Sequence, residues 1–533
     1  MLMVYQGKNM FEIPRSFTGY DNIMSFVFIT NILSFICISA FLFGRAKNME
    51  FLYSFQQISK KHLIIGFVSI FIINLGYFFF YYYSTTPIEQ LIFHLTLPRT
   101  GANYSIIWVL LIDAIIQSLF FGIILIGGLA IHITYNEKTY FNLNAIKSKL
   151  LPAFPVISLI VFSYILGIPQ YMSNQLNTST FYEEYYISIE DSNIVFTENK
   201  RNLIIIIVES LETGFLSIDE GGAFQNNLIP NITELAKNNV NFSSTNFIGG
   251  PVPLTGTDWT IASIVAYYSG IPLVTRLYND LGDFVESFLP NANGLAYILA
   301  NQGYNQYFIL GSDSRFAGRD KYFSTHKDTV IYDYNYFVNN NYIQEDYFEW
   351  WGIEDRKLFD YAKNLLGDIS KEEPFFVTIL TADTHTTGGY LDEYASVIFD
   401  SRYMNVVYDM DKQVTMFLSW IMEQDFYNDT TIIILGDHLY MDNSFFPSSF
   451  NEKRYILNIF INSLFDFSVN NRLLSHFDFL PLIIESIGGK FINEGIALGR
   501  SLTNETTLIE KYGYEEMSRL LRLRSDFYPQ FWQ

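Results

Sequence analysis

The sequence predicts an all-α transmembrane bundle at the N-terminus, followed by an α/β domain with a mostly parallel central sheet covered by helices. Three observations lead to this division. Long apolar stretches crowd the first third of the 533 residues. Beyond about residue 200, short β-rich runs that are apolar at nearly every position alternate with helix-like segments, the pattern of a parallel sheet buried on both faces. The charge is also unevenly spread. Of 33 Lys+Arg and 54 Asp+Glu, residues 1–175 hold ten and six, leaving 23 and 48 and a net charge of −25 for the remainder.

Four stretches, Ile23–Phe43, Leu63–Tyr83, Ile106–Ile131 and Ala153–Ile168, approach or exceed the ~20 apolar residues that cross a bilayer core. The first starts some twenty residues in and is followed by three more, so it does not read as a cleavable signal peptide. Asp113 and Gln117 in the third read as hydrogen-bonding groups between helices. Arg45, Lys47, Lys60 and Lys61 fill the first loop, and Lys138, Lys147 and Lys149 the third. The second loop holds only Arg99. Positive loops stay in the cytoplasm, which puts the remainder of the chain outside, against the weaker pull of Lys8 and Arg15. The expected division is residues 1–172 for about four membrane helices, 173–200 for a polar linker, and 201–533 for an extracytoplasmic domain.

That domain is too acidic for a nucleic-acid partner, which needs a basic footprint. Cys37 is the only cysteine, and it lies in the first span. Disulfides and a thiolate zinc site are therefore excluded.

The strand candidates are Leu203–Val208, Gln306–Leu310, Phe375–Leu380, Thr431–Leu435 and Tyr455–Ile461. Helix-like segments cover Asn231–Asn238, Thr260–Tyr268, Gly294–Asn301, Asp355–Leu366, Asn405–Gln424 and Leu480–Ile487. In such sheets, active sites gather at the carboxyl ends of strands. Four of these strands end in acids or histidines: Glu209-Ser210, Gly311-Ser312-Asp313, Thr381-Ala382-Asp383-Thr384-His385 and Gly436-Asp437-His438. Between them, Thr255-Gly256-Thr257-Asp258 opens an apolar helix-like run. A hydroxyl there sits at a helix N-terminus, where free N–H groups and the helix dipole favour an anion such as phosphate. Glu209, Asp437 and His438, with the Thr257 oxygen, would make a tetrahedral or slightly expanded site for Zn²⁺ or Mn²⁺. Bound to such an ion, a hydroxyl becomes a nucleophile near neutral pH.

Taken singly, these residues have plainer readings. A Glu after a strand is commonly a helix N-terminal charge, and an Asp-His pair is commonly structural. Tyr267, Tyr268 and the run Tyr347–Trp351 read as packing rather than sugar stacking. His326 and His476 read as surface or core histidines.

The motifs NLIIIIVESLE, GTDWTIASIVAYYSGIPL, SRFAGRDKYFSTH, DTHTTGG, GDHLYMDN and ALGRSL resemble the alkaline phosphatase/sulfatase superfamily over about residues 200–503. Within it, the chain is similar to membrane-anchored phosphoglycerol transferases that decorate periplasmic glucans, and to lipoteichoic acid synthases. The resemblance implies an alkaline-phosphatase-like fold. It implies Glu209, Asp437 and His438 as metal ligands, with Thr257, favoured over Thr255 and Thr260 by the Gly-Thr pattern, as both ligand and covalently phosphorylated nucleophile. It also implies Arg319 on the substrate phosphate, His385 near phosphate and leaving group, and Asp313 at the head group. The implied reaction is transfer of phosphoglycerol from a phospholipid such as phosphatidylglycerol to a glycan, at a bacterial inner membrane, on the periplasmic or exterior face. Phosphoethanolamine transfer and glycerol-phosphate polymerisation are alternatives on the same fold, and a non-catalytic receptor or scaffold is one from another class. Phosphoethanolamine transferases typically carry several disulfides, which this chain lacks. The Cys/Ser-x-Pro-x-Arg motif of sulfate-ester hydrolases is absent, since Asp258-Trp259-Thr260 follows Thr257.

Overall fold

The computed structural model describes residues 60–83, 88–96, 114–116, 118–119, 133–135, 138–141 and 151–533, except 275–286, 328, 387, 466 and 504. The chain divides into two compact units: Met1–Ser84, Tyr104–Ile168 and Asn443–Asn451, and Thr85–Asn103, Pro169–Asp442 and Glu452–Gln533.

In the first unit, α1 (Lys60–Tyr83) packs along α3 (Phe154–Ile165). A Cβ on Gly76 would stand 2.8 Å from Phe162 Cδ2, so glycine permits the close approach of the two helices. Asn74 Nδ2 donates to Ser118 Oγ at 3.0 Å in a buried interhelical hydrogen bond. Asp113, Gln117, Cys37, the first apolar stretch and most of the third lie outside the described residues. Among the described residues no single helix is long and apolar enough to cross a membrane. The bent pair α3 and α4 (Ile168–Leu176) passes that test of length and composition together.

The second unit is built on a six-stranded sheet. Its strands are β1 (Asn202–Val208), β2 (Asn305–Leu310), β3 (Val330–Tyr332), β4 (Phe375–Leu380), β5 (Thr430–Gly436) and β6 (Asn458–Ile461), in the spatial order β3-β2-β4-β1-β5-β6. All neighbours are parallel except β5 and β6. Every residue of β1, β4, β5 and β6 is buried, as expected of strands covered on both faces. The predicted mostly parallel sheet is thus present. Two details differ from the sequence reading. β3 is an additional edge strand of three residues, and β6 starts at Asn458 because residues 455–457 turn to bond the segment after β1, through Thr213 N to Tyr455 O and Leu457 N to Leu211 O.

The helices follow the expected segments closely: α5 (Pro230–Asn238), α6 (Thr260–Ser269), α7 (Leu295–Asn301), α10 (Asp355–Ile369), α11 (Arg402–Met422) and α12 (Phe479–Ser486). Added to them are α8 (Arg319–Thr325) and α9 (Tyr334–Asn339) after β2 and β3, and α13 (Leu508–Tyr512) and α14 (Tyr514–Arg522) near the C-terminus. Helix α6 is buried on all sides from Ile261 to Ser269, which explains its unbroken apolar sequence. Two tyrosines fix it to the sheet. Tyr267 OH donates to Gly436 O at 2.8 Å, and Tyr268 OH lies 2.8 Å from Thr378 Oγ1. Gly270, at φ 64, ends the helix in the left-handed conformation that glycine adopts freely.

Candidate active site

Strands β1 and β5 are adjacent and end in register, Val208 opposite Gly436, so the residues that follow meet. Ser210, at φ 57, turns the chain after β1 and donates its N–H to Asp437 Oδ1 at 2.7 Å. Its hydroxyl bonds Glu209 Oε1 at 2.8 Å. His438 Nε2 then lies 3.3 Å from Glu209 Oε1 and 3.4 Å from Asp437 Oδ2. One ligand atom from each of these three residues lies within 4.8 Å of the others, and all three are buried.

The chemistry of this donor set fits a divalent cation. His438 Nδ1 faces Leu439 O at 2.9 Å, which fixes the tautomer and leaves Nε2 as the lone pair toward the carboxylates. Asp437 Oδ2 and His438 Nε2 are buried without a hydrogen-bond partner among the described residues. Burial opposes charge on the imidazole, but Asp437 and Glu209 outweigh it and push His438 well above the usual imidazole range. Burial likewise pushes Glu209 up, and His438 outweighs it and draws the carboxyl down. The two carboxylates demand a cation between them, and a divalent ion would replace the proton in that place.

The threonines sort differently from the sequence expectation. Thr257 is fully buried and folded away from the cluster. Its Oγ1 donates to Leu254 O at 2.9 Å and accepts from Leu254 N at 3.0 Å. The Gly-Thr pattern that singled it out belongs to this turn, where Gly256 stands at φ 78. Thr255 Oγ1 accepts from Arg522 Nε of α14 at 2.8 Å. Thr260 is the first residue of α6, and its Oγ1 lies 3.4 Å from Glu209 Oε2. The hydroxyl at the helix start that faces the three ligands is therefore Thr260, not Thr257. No side chain caps this helix, so its first N–H groups remain available to an anion.

Arg319 opens α8 and is buried. Its Nε donates to Phe316 O at 3.1 Å and its Nη2 to Asp313 O at 2.8 Å. Burial lowers its pKa to about 10, against the attraction of Asp313 and Glu209, and it stays a cation at neutral pH. Asp313, expected at the head group, has its carboxylate paired with Arg315. Arg315 takes both oxygens, Nε to Oδ1 at 2.9 Å and Nη2 to Oδ2 at 2.5 Å, and outweighs the effect of burial to lower its pKa. His385 faces Thr386 O through Nδ1 at 2.6 Å. Burial lowers its pKa, with Glu209 pulling the other way. Beneath its loop, Asp355 at the start of α10 accepts from Ala382 N and Asp383 N at 2.8 and 3.0 Å. Burial drives Asp355 and Asp383 up, and the charge of Asp355 raises Asp383 further.

His476 and His326 are core histidines, bonded through Nε2 to Asp437 O and Phe288 O, each at 3.1 Å. Sequence reasoning missed helix α2 (Ile88–Thr96), which belongs to the second unit. Its Phe93 is fully buried against Trp259 and Phe288, with ring centroids at 6.0 and 6.1 Å. His94 stacks on Phe316 at 5.8 Å and interacts electrostatically with His385. Glu89 and Asp258 both lie close enough to feel the charge of Arg522. Phe316 in turn meets Trp351 at 5.2 Å, and Trp351 meets His385 at 4.7 Å. A lone histidine in a nine-residue apolar helix gave no signal of this placement.

Comparison with known proteins gives three findings. Phosphoglycerol transferase I of Xanthomonas campestris pv. campestris is 31% identical over 276 residues, which is 50% of this chain and 37% of the relative. The protein of the same name from Salmonella arizonae is 31% identical over 255 residues, 46% of this chain and 32% of the relative. The match thus spans about a third of the length of these curated relatives. The crystal structure of the lipoteichoic acid synthase LtaP from Listeria monocytogenes superposes with a TM-score of 0.46 at 16% identity, over 61% of this chain and 81% of that one. Residues 201–488, more than half of the sequence and the whole of the strand-end cluster, match the sulfatase family, and the chain belongs to that family.

Proposed function

We propose that the chain transfers a phosphoglycerol group from phosphatidylglycerol to a glycan through a phosphothreonine on Thr260. The observation that carries this reading is the hydroxyl of Thr260 at the uncapped start of α6, 3.4 Å from Glu209 Oε2 in the buried Glu209–Asp437–His438 cluster. The relatives named phosphoglycerol transferase I support the choice of group.

Glu209, Asp437, His438 and Thr260 would hold Mn²⁺ or Zn²⁺, which when bound lowers the pKa of the hydroxyl and offsets phosphoryl charge. The Thr260 oxygen attacks phosphorus, the bond to the diacylglycerol oxygen breaks, and phosphoglycerol remains on Thr260. In the second step a glycan hydroxyl attacks the same phosphorus and the bond to Thr260 breaks. Arg319 and the N–H groups at the start of α6 stabilise charge on the phosphoryl oxygens in both steps. His385, whose Nδ1–H is held by Thr386 O, takes the Thr260 hydroxyl proton on Nε2 and passes it to the leaving diacylglycerol oxygen; in the second step it takes the acceptor hydroxyl proton and returns it to the Thr260 oxygen. Because Arg315 neutralises Asp313, that acid is not free to pair with an ammonium, which favours glycerol over ethanolamine. The division at residues 172 and 200 belongs to the same proposal: residues 1–172 anchor a domain that works on lipid head groups outside a bacterial inner membrane.

The test is incubation of the full chain, loaded with Mn²⁺ or Zn²⁺, with phosphatidylglycerol or phosphatidylethanolamine, followed by mass mapping of the peptide that carries Thr260. Phosphoglycerol on Thr260 and free diacylglycerol are expected. Absence of diacylglycerol release from either lipid would sink the proposal, and an ethanolamine adduct alone would replace its donor.

A further inference from the structure

Outside the phosphate site, a cleft of about 520 Å³ opens between the end of α9, the turn that follows it and the first two turns of α10. This is the size of a small-ligand site. Tyr342, Tyr347 and Tyr361 line it, together with Asn341, Gln344 and the exposed acid Glu345. Asn341, at φ 58, takes the left-handed conformation that asparagine tolerates, and turns the chain around the opening. Tyr342 keeps 39% of its surface exposed. Lys357 is held by Glu354 at 3.1 Å and stands over the Tyr347 ring at 3.8 Å, so its charge is already engaged. The exposed part of the Tyr342 ring beside Asn341, Gln344 and the carboxylate of Glu345 suits a polyhydroxylated ligand, whose C–H face lies on the ring while its hydroxyls bond the amides and the carboxylate.

Two connections lead from this cleft to the phosphate site. Helix α10 starts at Asp355, which holds the backbone of the His385 loop. Tyr361 is six residues further on, about 9 Å along the axis at 1.5 Å per residue. The run that begins at Tyr347 also ends at Trp351, against the ring of His385. We propose that this cleft is the acceptor subsite and holds a neutral glycan so that one of its hydroxyls reaches the phosphate on Thr260. The proposal rests on the transfer reading above and assigns the acceptor a place.

The test uses the full chain in detergent and a neutral glucose hexamer, laminarihexaose. Binding is followed by calorimetry without lipid, and diacylglycerol release from phosphatidylglycerol is followed separately without glycan. Tyr342→Ala and Gln344→Ala alter exposed side chains and should each weaken hexamer binding by about tenfold or more. Diacylglycerol release should stay at the unmodified level. The proposal is overturned if the unmodified chain does not bind the hexamer, or if both variants bind it equally well. A failure of the donor reading would appear only in the lipid arm, because hexamer binding needs no donor.

Discussion

Replacing Thr257 and Thr260 one at a time should separate stability from chemistry. Thr257→Ala removes a hydroxyl that accepts from Leu254 N and donates to Leu254 O. The carbonyl keeps a partner, because Thr257 N–H also bonds it at 3.1 Å. The cost falls on the buried Leu254 N–H, about 1–3 kcal/mol for a donor left unpaired. The thermal midpoint should drop while a phosphoglycerol adduct still forms. Thr260→Ala removes only a long contact to Glu209 at 3.4 Å, worth less than about 1 kcal/mol, so stability should hold. Turnover should fall by at least about 10⁴-fold with loss of the nucleophile, and Thr260→Ser should restore part of it. The assay is diacylglycerol release from phosphatidylglycerol, with fragmentation of the peptide that spans both threonines. An adduct on Thr257, or one that survives Thr260→Ala, would refute the assignment.

Removal of divalent ions by a chelator should abolish turnover. Restoring Mn²⁺ or Zn²⁺ at about a hundredfold over its dissociation constant should add about 2.7 kcal/mol of stability, and His438→Gln should erase the accompanying rise in thermal midpoint. His94→Ala should raise KM for the lipid donor by about three- to tenfold with kcat and thermal midpoint little changed, if the His94 ring stacked on Phe316 helps position the donor without taking part in bond making. Burial lowers the pKa of His326 to about 4, with the bond to Phe288 O opposing it. Its contribution, on the order of 3 kcal/mol, is present above pH ~6.5 and is lost as pH falls toward about 4. Thermal midpoints of His326→Gln should therefore fall less steeply across that window, and equal slopes would argue against the assignment. Gly436→Ala would put a Cβ 2.0 Å from Leu211 O, a backbone atom that cannot swing aside. A cost of about 3 kcal/mol or more is expected, visible as loss of folded protein in membranes.

The sheet was legible because β1, β4 and β5 are apolar at almost every position, and acids and histidines stand immediately after them. β3 was not, because three residues carry too little pattern. The strand ends also gave Glu209, Asp437 and His438, whose chemistry depends on residue type and on the adjacency of two strands. The nucleophile was harder to place. Gly256 and Thr257 form a conspicuous pair, but the pair serves a turn, and only the helix boundary shows that the half-buried hydroxyl beside Glu209 comes three residues later. The pairing of Asp313 with Arg315, two residues on, was not legible, because it depends on how the turn after β2 folds. His94 lies more than two hundred residues from Phe316 in sequence, and only folding brings the two rings together.

Arg522 of α14 reaches Thr255 on the loop that leads to Thr260, and Trp259 on the same loop rests against Phe93 of α2. Both supports lie outside residues 201–488, one before and one after. A fragment cut to the family boundaries would keep its sheet and the Glu209–Asp437–His438 cluster but lose both restraints on the loop that leads to Thr260. Such a fragment should fold and bind metal yet turn over poorly. Grafting the catalytic module onto another anchor would therefore require carrying α2 and the C-terminal helix with it.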